Sequence, residues 1–277
     1  DLHRVDRRQR QMCIRDRYTN SAFWFYKNLL APSLTKQQGI NRLIIIPDDA
    51  LGHIPFEAFL TKASSEEEES YKTLPYLVND YKVSYNYSAT LLKENMNHAD
   101  RKNNGELLAF AANYNKKEVD SQNKTRTVRA PHLRNLRDAL TDLPAARTEV
   151  TGLSDLFKGQ FLFEDQASEE NFKAQAPKYA IIHLAMHGLL NTQYPVLSSL
   201  AFTENGDSSQ DNFLQAYEIA SLNLNADLVV LSACETGYGK FQQGEGVMSL
   251  ARSFMYAGVP SLVVSLWQVN DASTSLI

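Results

Sequence analysis

Short apolar runs that alternate with helical segments dominate the second half of this sequence. Residues 179–184 and 227–232 are runs of strand length rich in isoleucine, leucine and valine, and segments with helical spacing lie between such runs. Apolar residues on both faces are typical of strands inside a parallel sheet. Strands that alternate with helices favour a doubly wound, mostly parallel sheet with helices on both faces. We therefore predict an α/β fold.

The same patterns predict the remaining elements. The predicted strands are residues 42–47, which we place in the middle of a parallel sheet, and residues 82–87, 161–164, 199–203 and 261–266. Residues 107–114 form another apolar run. The predicted helices are residues 18–30, ended by Pro32, and residues 88–96, 144–156, 168–175, 214–220 and 246–257. Residues 115–143 are polar and lack periodicity, which predicts a long loop containing a short helix.

The two ends of the chain differ from the rest. Residues 1–17 are rich in arginine and show neither helical nor strand periodicity, and residues 7–16 resemble one reading frame of a sequencing adaptor. We interpret 1–17 as an adaptor artefact or a disordered basic tail, and 18–277 as one domain. Residues 270–275 are rich in helix-starting side chains. They predict a truncated helix, so the chain is expected to be a fragment of a longer protein.

Composition excludes several classes of protein. The chain has 277 residues, of which 43% are hydrophobic and 22% charged, enough for a large globular core. A net charge of -4 gives no basic field for nucleic acid or an anionic membrane. No apolar run approaches the roughly 18 residues of a membrane span, and no signal region is recognisable. Two cysteines, Cys13 and Cys234, cannot form a disulfide framework. We predict a cytoplasmic protein without a cofactor.

Reactive side chains follow two of the predicted strands. His187 and Gly188 follow residues 179–184, and Cys234 lies in the string SACETG after residues 227–231. Ligands bind at the carboxyl ends of parallel strands. A histidine there can take the proton of a cysteine thiol, and the thiolate then attacks a carbonyl. The alternatives are a buried structural cysteine and a histidine that only forms hydrogen bonds.

Two other motifs give weaker signals. His183 and His187 have the spacing H-x-x-x-H, but His183 lies inside an apolar strand run and the glutamate of the H-E-x-x-H zinc motif is absent. We predict that His183 is a core histidine. Residues 237–246 are rich in glycine without matching a phosphate-binding loop, and we predict a mobile loop there.

Four strings together resemble the CHAT domain family, which comprises caspase-like, separase-related cysteine peptidases of clan CD. They are residues 44–60 (IIIPDDALGHIPFEAFL), 182–188 (IHLAMHG), 228–237 (LVVLSACETG) and 244–271, and the similarity extends from about residue 18 to the C-terminus. The resemblance implies that His187 and Cys234 form the catalytic dyad, with the backbone N–H groups of Gly188 and Cys234 as oxyanion donors. It also implies tetratricopeptide-type repeats upstream, which would regulate cleavage of a protein substrate.

The resemblance also implies the substrate-binding residues. Ser232, two positions before Cys234, would line the pocket for the residue preceding the cut. Glu235, directly after Cys234, is a second predicted substrate-binding residue. Asp271 lies in a string similar to one in separases and would meet a basic substrate residue, although a helix-capping role is an equal alternative. A catalytically silent scaffold or signalling module of the same family, and a hydrolase or acyltransferase acting on small thioesters, are the competing functions.

Overall fold

The computed structural model describes residues 2–64, 70–97, 103–114, 140–204, 211–232, 240–242, 246–248 and 250–265. Contacts divide the chain into two compact units, Asp1–Glu94 and Asn95–Ile277. Cys234, Glu235, Asp271 and most of the loop predicted at residues 115–143 lie outside the described residues.

The first unit begins with a long helical segment. Helix α1 (Leu2–Phe25) passes through a π-helical turn (Tyr26–Leu30) into α2 (Ala31–Leu34). The predicted stop at Pro32 is wrong, since Pro32 lies at the start of α2, where proline is tolerated. Helix α1 also includes most of the segment to which the sequence analysis assigned no regular element. Arginine and glutamine favour helices even without an apolar period.

A two-stranded parallel sheet completes the first unit. Strand β1 (Arg42–Ile45) pairs with β2 (Lys82–Tyr85), so the strand predicted at 82–87 is confirmed. The short helix α3 (Leu77–Asp80) precedes β2, and α4 (Ala89–Asn97) follows it. Within the described residues β1 has β2 as its one neighbour, and Ile44 is 48% exposed. The prediction that residues 42–47 lie in the middle of a sheet is therefore wrong.

The second unit contains the predicted alternation of strands and helices, with additional short strands between them. Its described strands are β3 (Leu107–Ala111), β4 (Gly159–Phe163), β5 (Ile181–Ala185), β6 (His187–Leu189), β7 (Ser199–Ala201), β8 (Phe213–Gln215), β9 (Leu228–Ser232), β10 (Lys240–Gln242), β11 (Gly246–Met248) and β12 (Ser261–Val264). Its described helices are α5 (Pro144–Leu156), α6 (Glu169–Gln175), α7 (Ala216–Ser221) and α8 (Leu250–Tyr256). Helix α5 has the predicted bounds, with Pro144 in its first turn.

Five strands form one parallel sheet. Their order is β12-β9-β5-β3-β4, and every neighbouring pair is parallel. Ala185, the last residue of β5, lies between Ala111 of β3 and Ser232 of β9. The carboxyl ends of three strands therefore meet at one edge.

Helices cover both faces of this sheet. On one face, Ala146 and Val150 of α5 pack against Ala109 and Ala185. On the other face lies the larger core, in which α6, α7 and α8 bury the side chains Phe172, Ile219, Leu250 and Phe254. The predicted doubly wound α/β fold is confirmed.

Two small antiparallel elements were not predicted. Strands β6, β7 and β8 form a separate antiparallel sheet, although residues 199–203 were assigned to the parallel alternation. Strands β10 and β11 form a hairpin that includes part of the loop predicted at 237–246. Residues predicted as the starts of two helices lie in β8 and β11 instead, because short strands without a period cannot be told from helix starts.

Candidate active site

Of the residues in the predicted site, the structure describes His187, Gly188 and Ser232, which lie at or just beyond the carboxyl ends of β5 and β9. These two strands are parallel neighbours, and the backbone N–H of Met186 donates to the carbonyl of Ser232 at 3.3 Å. His187 follows Met186 as the first residue of β6. The chain that leaves β9 at Ser232 reaches Cys234 two residues later. The strand that ends before His187 and the strand that leads to Cys234 are therefore adjacent, as predicted.

A backbone carbonyl holds the His187 imidazole. Its Nε2 lies 2.7 Å from the carbonyl oxygen of Thr141, which precedes α5. Because a carbonyl oxygen only accepts hydrogen bonds, Nε2 carries a proton. A neutral His187 therefore keeps its lone pair at Nδ1, and this nitrogen can act as a base.

Tyr114, in the segment that follows β3, supports His187. Its hydroxyl accepts the backbone N–H of His187 at 2.9 Å and donates to the carbonyl of Ala201 at 2.6 Å. The phenol ring packs on the imidazole with ring centroids 4.7 Å apart. Tyr114 follows β3 at the same edge of the sheet and so fixes both the backbone and the ring of His187.

The predicted oxyanion donor Gly188 is the second residue of β6. It lies opposite Leu200 of β7 and is half-buried. The backbone N–H of Cys234, the other predicted donor, lies outside the described residues.

A glutamate that the sequence analysis missed lies beneath this edge. One carboxylate oxygen of Glu149, on α5, lies 2.7 Å from Nε2 of His183, and the other accepts the Ser232 hydroxyl at 3.0 Å. The side chains of His183 and Glu149 are only 9% and 14% exposed. His183 is therefore a core histidine, as predicted, and its partner is a carboxylate. The Ser232 hydroxyl, predicted to line a substrate pocket, is engaged by Glu149.

The sequence indicated the missed residues Tyr114, Glu149 and Thr141 to different degrees. Tyr114 ends the apolar run at 107–114, so inspection of every strand end would have included it. Glu149 lies three residues after Ala146 and four before Leu153, on the apolar face of the predicted helix, so its spacing indicated a carboxylate that faces the sheet. Thr141 acts through its backbone, which no side-chain pattern reveals.

Another charged cluster lies on the opposite face of the sheet. Lys173 of α6 pairs with Glu169 and, at 2.9 Å, with Glu218 of α7. Burial raises the pKa of the Glu169 carboxyl above its usual range, and the bonds to Lys173 only partly offset this effect. Burial by itself would lower the pKa of Lys173, but hydrogen bonds to the two glutamates raise it. We assign this cluster to stability.

The described part of the chain contains no group of three or more histidine, cysteine, aspartate or glutamate side chains placed to hold a metal ion. No helix among the described elements is both long and apolar enough to span a membrane.

The fold and this edge of the sheet define an α/β protein of caspase-like architecture, with a fixed histidine beside the strand that leads to a cysteine. A family model described as CHAT domain matches residues 19–277. The chain belongs to the CHAT domain family, a caspase-like family with peptidase potential, as its motifs had indicated. A search of curated proteins finds no match.

Proposed function

We propose that the protein is a cysteine endopeptidase in which Cys234 is the nucleophile and His187 the base. One observation carries the proposal: the His187 imidazole is fixed through Nε2 to the Thr141 carbonyl at the carboxyl end of β5, next to β9. This arrangement leaves Nδ1 as the basic nitrogen. Cys234 follows the last residue of β9 by two residues in the sequence, and this short separation supports the proposal that its thiol acts at the same edge.

The first half of the reaction makes an acyl-enzyme. Nδ1 of His187 takes the thiol proton, and the Cys234 thiolate attacks the carbonyl carbon of the scissile peptide bond. The carbonyl oxygen becomes an oxyanion, for which the backbone N–H groups of Gly188 and Cys234 are the proposed donors. The imidazolium then protonates the leaving amine as the carbon–nitrogen bond breaks.

The second half regenerates the thiol. Neutral His187 takes a proton from water, and the resulting hydroxide attacks the thioester. The carbon–sulfur bond breaks, the acid product leaves, and the Cys234 thiolate recovers its proton from the imidazolium. The Thr141 carbonyl supports both halves, because an acceptor at Nε2 stabilises the imidazolium formed in each of them.

The substrate is proposed to be a protein segment bound along this edge. Ser232, Glu235 and Asp271 are the proposed substrate-binding residues, with the Asp271 carboxylate selecting Lys or Arg before the cut through a partly desolvated ion pair. A cytoplasmic location, which remains a proposal, would keep the Cys234 thiol reduced.

A peptidyl acyloxymethyl ketone, read by intact mass, tests the function. The background variant is Cys13→Ser, which leaves Cys234 as the one thiol among the two cysteines. We expect a single covalent adduct, lost in Cys234→Ala and strongly reduced in His187→Ala. His53→Ala, a histidine of the first unit, is the matched control and should retain the adduct.

Three results would contradict the proposal. An adduct that persists in Cys234→Ala would remove the nucleophile. Equal labelling in His187→Ala and the background would remove the base. A background protein that gives no adduct and cleaves no peptide would favour the catalytically silent module.

A further inference from the structure

Glu149 links the two strands that lead to the candidate catalytic residues, β5 before His187 and β9 before Cys234. Its carboxylate reaches from α5 to His183 on β5 and to Ser232 on β9, at 2.7 and 3.0 Å. Neighbouring strands lie about 4.8 Å apart, and the two oxygens of one carboxylate can therefore serve a donor on each. His183 and Ser232 lie on the same face of the sheet, two residues apart in register.

Ser232 is held at two points. Its carbonyl accepts the N–H of Met186, the residue before His187, and its hydroxyl donates to Glu149. Both contacts occur at the last residue of β9, where the chain leaves the sheet. Two residues of extended chain span at most about 7 Å, so the anchoring of Ser232 restricts where Cys234 can lie.

The same stretch of chain also holds the base. Thr141, eight residues before Glu149 in the sequence, binds the His187 imidazole through its carbonyl. The segment before α5 therefore contacts His187 through the Thr141 carbonyl. Helix α5 contacts β9 through the hydrogen bond between Glu149 and Ser232. A hydrogen bond to a carboxylate is roughly twice as strong as one between neutral groups, which suits Glu149 for fixing a side chain in one position.

We propose that Glu149 is a positioning residue that sets the direction in which the chain leaves β9 and thereby the separation of Cys234 from His187. The proposal rests on the proposed function in taking Cys234 as the nucleophile. Glu149 does not touch the reacting atoms in this scheme and acts through Ser232.

The reactivity of the Cys234 thiol tests the proposal without any peptide substrate. A thiol beside an imidazolium ionises below the ordinary value of about 8.5. Iodoacetamide alkylation is measured against pH in the Cys13→Ser background. In Glu149→Met, which removes both hydrogen bonds at similar volume, we expect the midpoint of the profile to move up toward an ordinary thiol.

Turnover and a second variant sharpen the test. With any peptide that the background cleaves, we expect kcat to fall by about 10- to 100-fold in Glu149→Met while KM stays within about twofold, because orientation and not binding is lost. Glu149→Gln should recover most of both readouts, since an amide can accept from His183 and donate to the Ser232 oxygen. Asp155→Ala, an exposed carboxylate on the same helix, is the matched control and should leave both unchanged.

A double-mutant cycle identifies the route of the effect. Ser232→Ala removes only the contact with β9 and should reproduce the shift of the alkylation profile. Adding Glu149→Met should then change the profile little further, because both substitutions break the same contact. If Glu149→Met does not fold, Ser232→Ala carries the test by itself.

The outcomes separate this proposal from the proposed function. A Glu149→Met protein with lower thermal stability but an unchanged profile and kcat would show a purely structural role and overturn the proposal. An ordinary thiol profile in the background protein would also overturn it, because no close pair would exist to position. A shifted profile that depends on Glu149, in a protein that no peptidyl probe labels, would support positioning while removing the peptidase function.

Discussion

The Tyr114 hydroxyl lies between the backbone N–H of His187 and the carbonyl of Ala201, bonded to both at 2.9 and 2.6 Å. In the ladder between β6 and β7, His187 and Ala201 are paired residues. The Tyr114 side chain, from the segment after β3, thus bridges the first residue pair of the antiparallel sheet, next to the end of the parallel strand β5. These two hydrogen bonds hold the backbone of His187 in place.

Tyr114→Phe should weaken both the fold and the candidate site. The substitution keeps the ring on the imidazole but leaves the His187 N–H and the Ala201 carbonyl without this partner. We expect a loss of about 1 to 3 kcal/mol in the free energy of unfolding. Displacement of the imidazole should lower the rate of Cys234 labelling by up to about 100-fold. Urea unfolding and the labelling rate measure the two effects.

Tyr194→Phe is the control for this prediction. Tyr194 is 55% exposed, and its hydroxyl accepts a hydrogen bond from its neighbour Gln193. Removal of this hydroxyl should change both readouts little. A labelling rate in Tyr114→Phe equal to that of Tyr194→Phe would show that the ring alone positions His187.

Periodicity predicted the elements of the parallel sheet because each has a clear physical signature. Strands β5 and β9 are apolar on both faces, and α5 starts with proline and repeats apolar residues at helical spacing. Strands β6, β7 and β8 have three residues each, too few for a period to show. The sheet that carries His187 was missed for this reason.

The candidate site was also only partly predictable from the sequence. His187 was predictable because it follows an apolar strand and stands beside glycine. Its environment was not, since the contacts of Thr141, Tyr114 and Glu149 join segments far apart in the sequence. Such pairings follow from sheet order, and the sequence pattern indicated parallel strands without fixing their order.

Two glycines near α5 give opposite predictions for stability. A Cβ on Gly159, at the start of β4, would overlap the carbonyl oxygen of Leu107, a backbone atom of the paired strand. Gly159→Ala must therefore displace β4 from β3. Gly152 lies inside α5, where a Cβ would meet nothing within 4 Å. Gly152→Ala should stabilise the helix by about 0.5 to 1 kcal/mol through reduced backbone entropy.

Urea unfolding of the two alanine variants checks this pair. We expect a lower transition midpoint for Gly159→Ala and a higher one for Gly152→Ala, by circular dichroism. Equal or reversed shifts would mean that the close approach of β4 to Leu107 is relieved at no cost.

Glu169 predicts how stability depends on pH. The Glu169 side chain is buried, and one of its carboxylate oxygens has no hydrogen-bond partner. Burial raises the pKa of this carboxyl in the folded protein. The folded state therefore binds its proton more tightly than the unfolded state does. The resulting stabilisation is complete below the unfolded value of about 4.3 and is lost as pH rises through the raised value.

Glu169→Gln removes this titration and isolates its effect. The free energy of unfolding of wild type relative to Glu169→Gln should increase as pH falls toward the unfolded value of about 4.3, because the buried carboxyl of the folded protein binds its proton at a higher pH than the unfolded one does. Urea unfolding at several pH values measures the difference. Glu170→Gln, an exposed neighbour on α6, shows how removal of a solvated carboxylate behaves under the same conditions. If the difference in free energy of unfolding between wild type and Glu169→Gln stays constant or decreases as pH falls, the Lys173 ion pair outweighs burial and Glu169 is held as an anion.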